Sequence, residues 1–303
     1  MRRVVVGTRG SALALAQTRF VVAQLERLQP NIEFALQIIR TRGDANRTTS
    51  FAALGRGVFV HELQSALLDG RVDVAVHSLK DLPTEEPEGL MIAAVLERVD
   101  PRDVLISRHG LPLAELPKSA RIGSSAARRR AQLLAYRSDF RVMPLRGNVD
   151  TRLRKAQTDE YDGIILAAAG LARLGLLDRV TEYLPTTLML PAPGQGALAV
   201  EVRADDEAVR ALVQPLDDPL ARATVIAERT CLQAMGGGCS VPIAVHASIE
   251  EGKLVVDGLV ADADGRRVVR ARVSGGMAAA GELGVALARE LLAAGGKIVL
   301  HEA

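Results

Sequence analysis

Cys239 lies in the run Gly236-Gly237-Gly238-Cys239-Ser240-Val241-Pro242 and is one of only two cysteines among 303 residues. The glycines remove side-chain bulk and admit positive φ, and Pro242 stiffens the exit. A thiol on such a loop is displayed rather than packed, which suits a nucleophile or a point of covalent attachment. The same run also reads as a glycine-rich turn that happens to hold a cysteine. Cys231 and Cys239 form no Cys-x-x-Cys and have no neighbouring histidine. Neither a disulfide framework nor a zinc site is indicated, no metal is expected, and a reducing, cytoplasmic setting follows.

A second set of residues points to anion binding. Only five of the 38 basic residues are lysines; arginine grips carboxylate or phosphate through two parallel hydrogen bonds. The arginines gather where helices begin: Arg9, then Arg128-Arg129-Arg130, Arg146, Arg152 and Arg173. No acid stands within several residues of Arg128–Arg130, so their mutual repulsion calls for an outside anion, and a polyanionic small molecule is expected. Arg130 and Arg154 also read as a solvated helix face. Lys80-Asp81 follows an apolar run, and in open α/β sheets the ligand crevice lies beyond the carboxyl ends of strands. Asp81 is therefore expected to be a carboxylate facing cations.

These residues need elements to hold them. Val4–Gly7 reads as a strand, followed by a helix from Ala12 to about Gln29 that Pro30 stops. Glu33–Arg40 reads as a strand, 43–57 as a polar loop, Val58–Asp69 as a helix and Val72–Val76 as a strand. Near residue 100 the pattern restarts. Asp103–Ser107, Arg121–Gly123, Arg141–Pro144 and Gly163–Ala168 read as strands, with helices over Ala126–Tyr136 and Val149–Thr158 among them. Ala199–Arg203 adds one more strand, and Leu220–Met235 is a strong helix. Lys253–Ala261 and Val268–Val273 alternate as a hairpin around Asp264-Gly265, and Gly281–Ala294 closes as a helix. Strands alternating with helices imply parallel α/β sheets. Gly7-Thr8-Arg9-Gly10-Ser11 and Gly123-Ser124-Ser125 each follow a strand and open a helix, the pattern of paired lobes with anion sites at helix N-termini. Ser and Thr are also ordinary N-caps.

Composition narrows the classes further. Hydrophobic residues are 48% and charged residues 24%, ordinary for a globular protein. No apolar run is long enough to span a bilayer, and Arg2-Arg3 lead into a strand rather than an export signal. A net charge of +2 and 3% aromatics leave little for nucleic-acid binding. A non-enzymatic two-lobed carboxylate sensor would explain the paired anion sites but not Cys239.

Seven motifs occur in order: Thr8-Arg9-Gly10-Ser11-Ala12-Leu13-Ala14, Arg42-Gly43-Asp44, His77-Ser78-Leu79-Lys80-Asp81-Leu82-Pro83, Gly123-Ser124-Ser125, Leu145-Arg146-Gly147-Asn148, Pro193-Gly194-Gln195-Gly196-Ala197 and Gly237-Gly238-Cys239. Together they resemble the hydroxymethylbilane synthase, or porphobilinogen deaminase, family of tetrapyrrole biosynthesis, over nearly the whole chain. The resemblance implies two periplasmic-binding-protein-like lobes with parallel-rich sheets plus a small C-terminal α+β domain: 1–96 with 197–214, 102–190, and 219–303. It implies a transferase that deaminates four porphobilinogen molecules and joins them head to tail on a covalent dipyrromethane. It also implies release of a linear tetrapyrrole, hand-off to uroporphyrinogen-III synthase, and a monomer with no nucleic-acid or membrane partner.

In that resemblance Asp81 matches the catalytic aspartate and Cys239 the thioether that carries dipyrromethane. Ser78, Lys80, Ser124, Ser125, Arg128, Arg129, Arg146, Gly147 and Asn148 match cofactor-binding positions. Arg9, Ser11, Arg146, Arg152, Arg173, Gln195 and Phe59 match positions toward the incoming pyrrole and growing chain. Gly10 and Arg56 stand where relatives commonly carry glutamine and lysine. Ala126 and Ala127 stand where a third serine and a leucine are common.

Overall fold

The computed structural model describes residues 2–40, 60–236 and 241–296. In chain order the elements are β1 (Arg2–Thr8), α1 (Ala12–Leu28), β2 (Ile32–Ile38), α2 (His61–Leu68), β3 (Val74–Ser78), β4 (Leu90–Val95) and β5 (Asp103–Ser107). There follow β6 (Arg121–Gly123), α3 (Ala127–Tyr136), β7 (Arg141–Met143), α4 (Val149–Ala156), β8 (Gly163–Ala167), α5 (Ala168–Arg173) and β9 (Glu182–Tyr183). The chain ends with β10 (Leu198–Arg203), α6 (Glu207–Val213), α7 (Pro219–Ala234), β11 (Ile243–Glu250), β12 (Lys253–Ala261), β13 (Val268–Gly275) and α8 (Ala280–Leu291).

The chain forms two compact units, 1–99 with 197–222, and 100–196 with 223–303. The first holds a five-stranded sheet in the order β2-β1-β3-β10-β4, in which only β10 opposes the other strands. The second holds a sheet of the same design, β7-β6-β8-β5-β9, in which only β5 opposes. In each sheet the reversed strand is the one that arrives from the other unit's sequence. The sheets are therefore mixed where alternation alone predicts parallel strands. The inner strands are continuous apolar runs because helices cover both faces: Val4, Val6, Val74, Val76, Val200 and Val202 form one core with Val21, Val22 and Leu25 of α1.

The third sheet, β11-β12-β13, is antiparallel. It packs one face on α7 and α8 through Val245, Val256, Cys231 and Leu287. Its other face meets α3: Ala244, Leu259 and Ala261 cluster with Ala131 and Leu190. The turn between β12 and β13 also lies on α3. Gly265 sits at φ +68°, and a Cβ there would collide with the Ala131 carbonyl oxygen. Arg130 donates to the Ala263 carbonyl and the Asp264 carboxylate (3.2 and 3.0 Å), so it fastens this turn rather than forming part of a merely solvated face. These contacts place the third sheet in one compact unit with the second, and with α7 and α8 it forms a small C-terminal domain of three strands and helices.

β3 is displaced by two residues from the predicted 72–76. Val72 is consumed in the turn after α2, its N–H donating to the Ala66 carbonyl (3.1 Å). β10 extends the pairing to Ser78. β4 and β11, unassigned from sequence, are buried strands.

Candidate functional site

Each sheet has three parallel neighbours, and the candidate residues lie just beyond their carboxyl ends, where α/β sheets bind ligands. In the first unit, β1 leads through half-buried Arg9 to Ser11. Ser11 is the N-cap of α1 and accepts from the Ala14 N–H (3.2 Å), the ordinary capping role. Ser78 ends β3 and exchanges hydrogen bonds with the buried Gln17 amide (2.8 and 3.3 Å). A single 3-10 turn, Leu79–Asp81, follows. Fully buried Leu79 anchors this turn and donates its N–H to the Ala197 carbonyl (3.1 Å). That anchor leaves Lys80 half-buried and Asp81 exposed. Among the described residues the Asp81 carboxylate makes no hydrogen bond or ion pair. Behind the turn, buried His77 and Glu201 pair at 3.0 Å, and Glu201 also accepts from Gln64 (2.8 Å).

In the second unit the loops after β6 and β7 run side by side. The Ser125 hydroxyl donates to the Leu145 carbonyl (2.9 Å) and accepts from the Leu145 N–H (3.0 Å). Ser125 is thus a strap between loops, not a free hydroxyl. Ser124 is buried and accepts from the Ala126 N–H (3.3 Å). Ala126 caps α3 with no side-chain hydrogen bond, and the Arg129 N–H turns back to the Ala126 carbonyl (3.1 Å). Gly147 has φ +108°, and a Cβ would stand 2.7 Å from Thr151 Cγ2. No other residue fits there without displacing Thr151. Asn148 is the N-cap of α4, and Arg152 Nε donates to the Gly147 carbonyl (2.7 Å). Half-buried Arg146 lies in the same loop.

Arg128 and Arg129 are both 6% exposed, and their anion comes from within the chain. Fully buried Asp103, the first residue of β5, accepts from Arg128 Nη1 and Nη2 (2.6 and 3.3 Å) and from Arg129 Nη2 (2.6 Å). This corrects the expectation that their repulsion requires an outside anion. Burial works to raise the Asp103 carboxyl, but the two guanidiniums outweigh it and hold the carboxyl below its ordinary range. Two cations on one anion still leave one positive charge in excess. Gln195, also fully buried, accepts from Arg128 Nη2 (3.0 Å) and donates to Asp103 Oδ1 and the Pro101 carbonyl (2.9 and 2.7 Å). Its amide thus acts on Arg128 and Asp103. Arg173, at the end of α5, donates to the Gly196 carbonyl (2.7 Å) and meets no carboxylate among the described residues. Desolvation brings its guanidinium down to about 10, which leaves it charged at neutral pH. Asp103 escapes sequence reasoning because its partners are distant in the chain; the one signal is an acid opening an apolar strand.

Residues 4–211 match the family model described as "Porphobilinogen deaminase, dipyromethane cofactor binding domain", and residues 222–293 match "Porphobilinogen deaminase, C-terminal domain". The porphobilinogen deaminase of Thermus thermophilus is 50% identical over 303 residues, covering 100% of this chain and 99% of that protein. That of Desulforamulus reducens is 46% identical over 301 residues, covering 99% and 97%. The chain belongs to the porphobilinogen deaminase family. Such an enzyme is a transferase of tetrapyrrole biosynthesis with a dipyrromethane cofactor. A periplasmic binding protein of Salmonella typhimurium also aligns, at 13% identity and a TM-score of 0.39 over 73% of this chain and 94% of that chain.

Cys239 falls in the stretch matched to the family's C-terminal domain, but it lies outside the described residues, as do Phe59, Arg56 and the motif Arg42-Gly43-Asp44. The donor set fits a group bearing carboxylate side chains. The second unit offers the surplus charge of the Asp103 cluster, uncompensated Arg173, and Arg129 Nε, which is buried with no acceptor among the described residues. No cluster of His, Cys, Asp and Glu among the described residues could hold a metal, and no helix among them is long and apolar enough to cross a membrane.

Proposed function

We propose that the chain deaminates porphobilinogen and joins four molecules head to tail on a dipyrromethane carried by Cys239, releasing the linear tetrapyrrole hydroxymethylbilane. The observation that carries this reading is the disposition of charge at the carboxyl ends of the parallel strands. The first unit offers an exposed, unpaired carboxylate, Asp81, and the second offers arginines with cationic charge in excess.

Porphobilinogen is a pyrrole with an aminomethyl group and two carboxylates. Loss of ammonia leaves positive charge shared with the pyrrole nitrogen, and joining two rings creates such charge again until the α-proton leaves. Asp81 balances both charges and can take up or pass on the proton. The dipyrromethane, when bound, supplies the α-carbon to which the first unit is joined. Each added unit brings two more carboxylates, which the arginines meet with charge-assisted hydrogen bonds. Ser78, Lys80, Ser124, Arg128, Arg129, Arg146 and the backbone of Gly147-Asn148 hold the dipyrromethane. Arg9, Ser11, Arg152 and Arg173 hold substrate and growing chain, with Phe59 toward the incoming ring. Ser125 and Gln195 serve these groups indirectly, as a strap and as a clasp on Arg128. The protein works in the cytoplasm as a monomer and passes its product to uroporphyrinogen-III synthase.

Intact mass tests the covalent group directly. The purified chain should exceed its sequence mass by two linked pyrroles and should consume porphobilinogen. Cys239→Ser should lose both properties. Cys231→Ala should keep them, because Cys231 is a fully buried core residue whose thiol is pushed up to about 12 by burial and by Glu228. An unmodified chain with full turnover would refute the attachment.

A further inference from the structure

The buried ion cluster around Asp103 calls for an explanation beyond stability. Ions packed inside a protein often stabilise it no more than apolar residues of the same volume would. Both guanidiniums here are held by fixed acceptors. Arg128 donates to Asp103, the Leu190 carbonyl and Gln195, and Arg129 to Asp103 and the Ile165 carbonyl (3.0 Å). The Leu190 segment is itself pinned by Gln132, which accepts from the Leu190 N–H (2.7 Å) and donates to its carbonyl (3.1 Å). What remains unmet is Arg129 Nε. A guanidinium recognises a carboxylate through a planar fork, so the plane must be set before the ligand arrives.

We propose that Asp103, seconded by Gln195, is a positioning residue. It orients Arg128 and Arg129 and trims their charge to a single surplus, so that the pair takes one carboxylate arm of the bound pyrrole chain. This inference rests on the function proposed above. Asp103 contributes through geometry as well as charge, and the two can be separated.

Charge bookkeeping supplies the test. The cluster carries one surplus positive charge in the wild type, none in Arg128→Gln, and one again in Asp103→Asn/Arg128→Gln. If Asp103 only balanced charge, the double variant should carry the two-pyrrole mass more fully than Arg128→Gln. If Asp103 positions Arg129, the double variant should load no better than the single, although its thermal transition remains cooperative. Gln195→Leu removes the clasp without altering charge. Chains of this variant that do carry the group should show KM for porphobilinogen raised about fivefold, the scale of one lost hydrogen bond, with kcat nearly unchanged. Fuller loading of the double variant than of Arg128→Gln, or an unchanged KM in Gln195→Leu, would overturn the proposal. If the double variant does not fold, the KM of Gln195→Leu decides alone. Wild-type protein lacking the added mass would instead refute the function itself, so the two failures remain distinct.

Discussion

Asp81 and Asp103 are opposite kinds of carboxylate. Asp81 is exposed and unpaired at the tip of a 3-10 turn, whereas Asp103 is fully buried and holds two arginines. Removing the first should barely affect stability, within about 0.5 kcal/mol as for other surface changes. It should reduce kcat sharply, because in the proposed function the charge Asp81 balances arises only on the reacting pyrroles. Asp81→Asn, compared with wild type on protein shown by mass to be loaded, should lose at least about 10²-fold in kcat with little change in KM. Asp81→Glu should keep part of the activity. Turnover within about tenfold of wild type would make Asp81 a turn residue and exclude a role as the acid-base group.

Two contacts between elements are equally open to test. The β12–β13 turn rests on the backbone of α3, and only a glycine fits at 265. Gly265→Ala should therefore lower unfolding stability by about 1–3 kcal/mol, the usual cost of overpacking, as read by urea titration. A neutral result would show that the hairpin does not dock on α3. Asp162 ties the start of β6 to the end of β5: it accepts from the Arg121 N–H (2.8 Å), Arg121 Nε (3.3 Å) and Arg108 (3.5 Å), and its other contact is the His109 ring (3.1 Å). Burial raises its carboxyl, but the Arg121 N–H, His109 and the Arg121 guanidinium outweigh that and bring it down to about 2 from the ordinary 3.8. A depressed carboxyl stabilises the fold fully above the unfolded value and loses that contribution as pH falls toward 2. Asp162→Asn should cost on the order of 1–2 kcal/mol at neutral pH, allowing for the partly exposed arginines. Its melting temperature should also fall less steeply than that of wild type between about pH 4 and pH 2. Parallel acid profiles would assign the acid sensitivity elsewhere.

At the scale of the molecule, the notable fact is that neither unit is continuous in sequence. β10 returns from residue 198 to lie between β3 and β4, and its Leu198, Val200 and Val202 complete the first core. A fragment of residues 1–99 would lack that strand and expose two sheet edges. It should show no cooperative urea transition, whereas 1–99 joined by a flexible linker to 197–222 should regain one. Cooperative unfolding of 1–99 alone would show that β10 is dispensable to this core.

Much of this was legible in the chain itself. Strand-helix alternation, glycines at turns and the ordered motifs specify two α/β sheets, a terminal hairpin and the positions that end each parallel strand. These are local or periodic properties, readable wherever backbone preference and burial coincide. The fate of particular side chains was not legible, because it depends on partners distant in sequence. Nothing near Arg128 announces Asp103, and nothing near Ser125 announces Leu145. The reversed strands β5 and β10 have the same origin: a strand's direction depends on where the chain re-enters the sheet, and its composition carries no trace of that. Sequence marked which residues stand at the strand ends, and tertiary packing decided which of their charges are already spent inside the protein and which remain for a ligand.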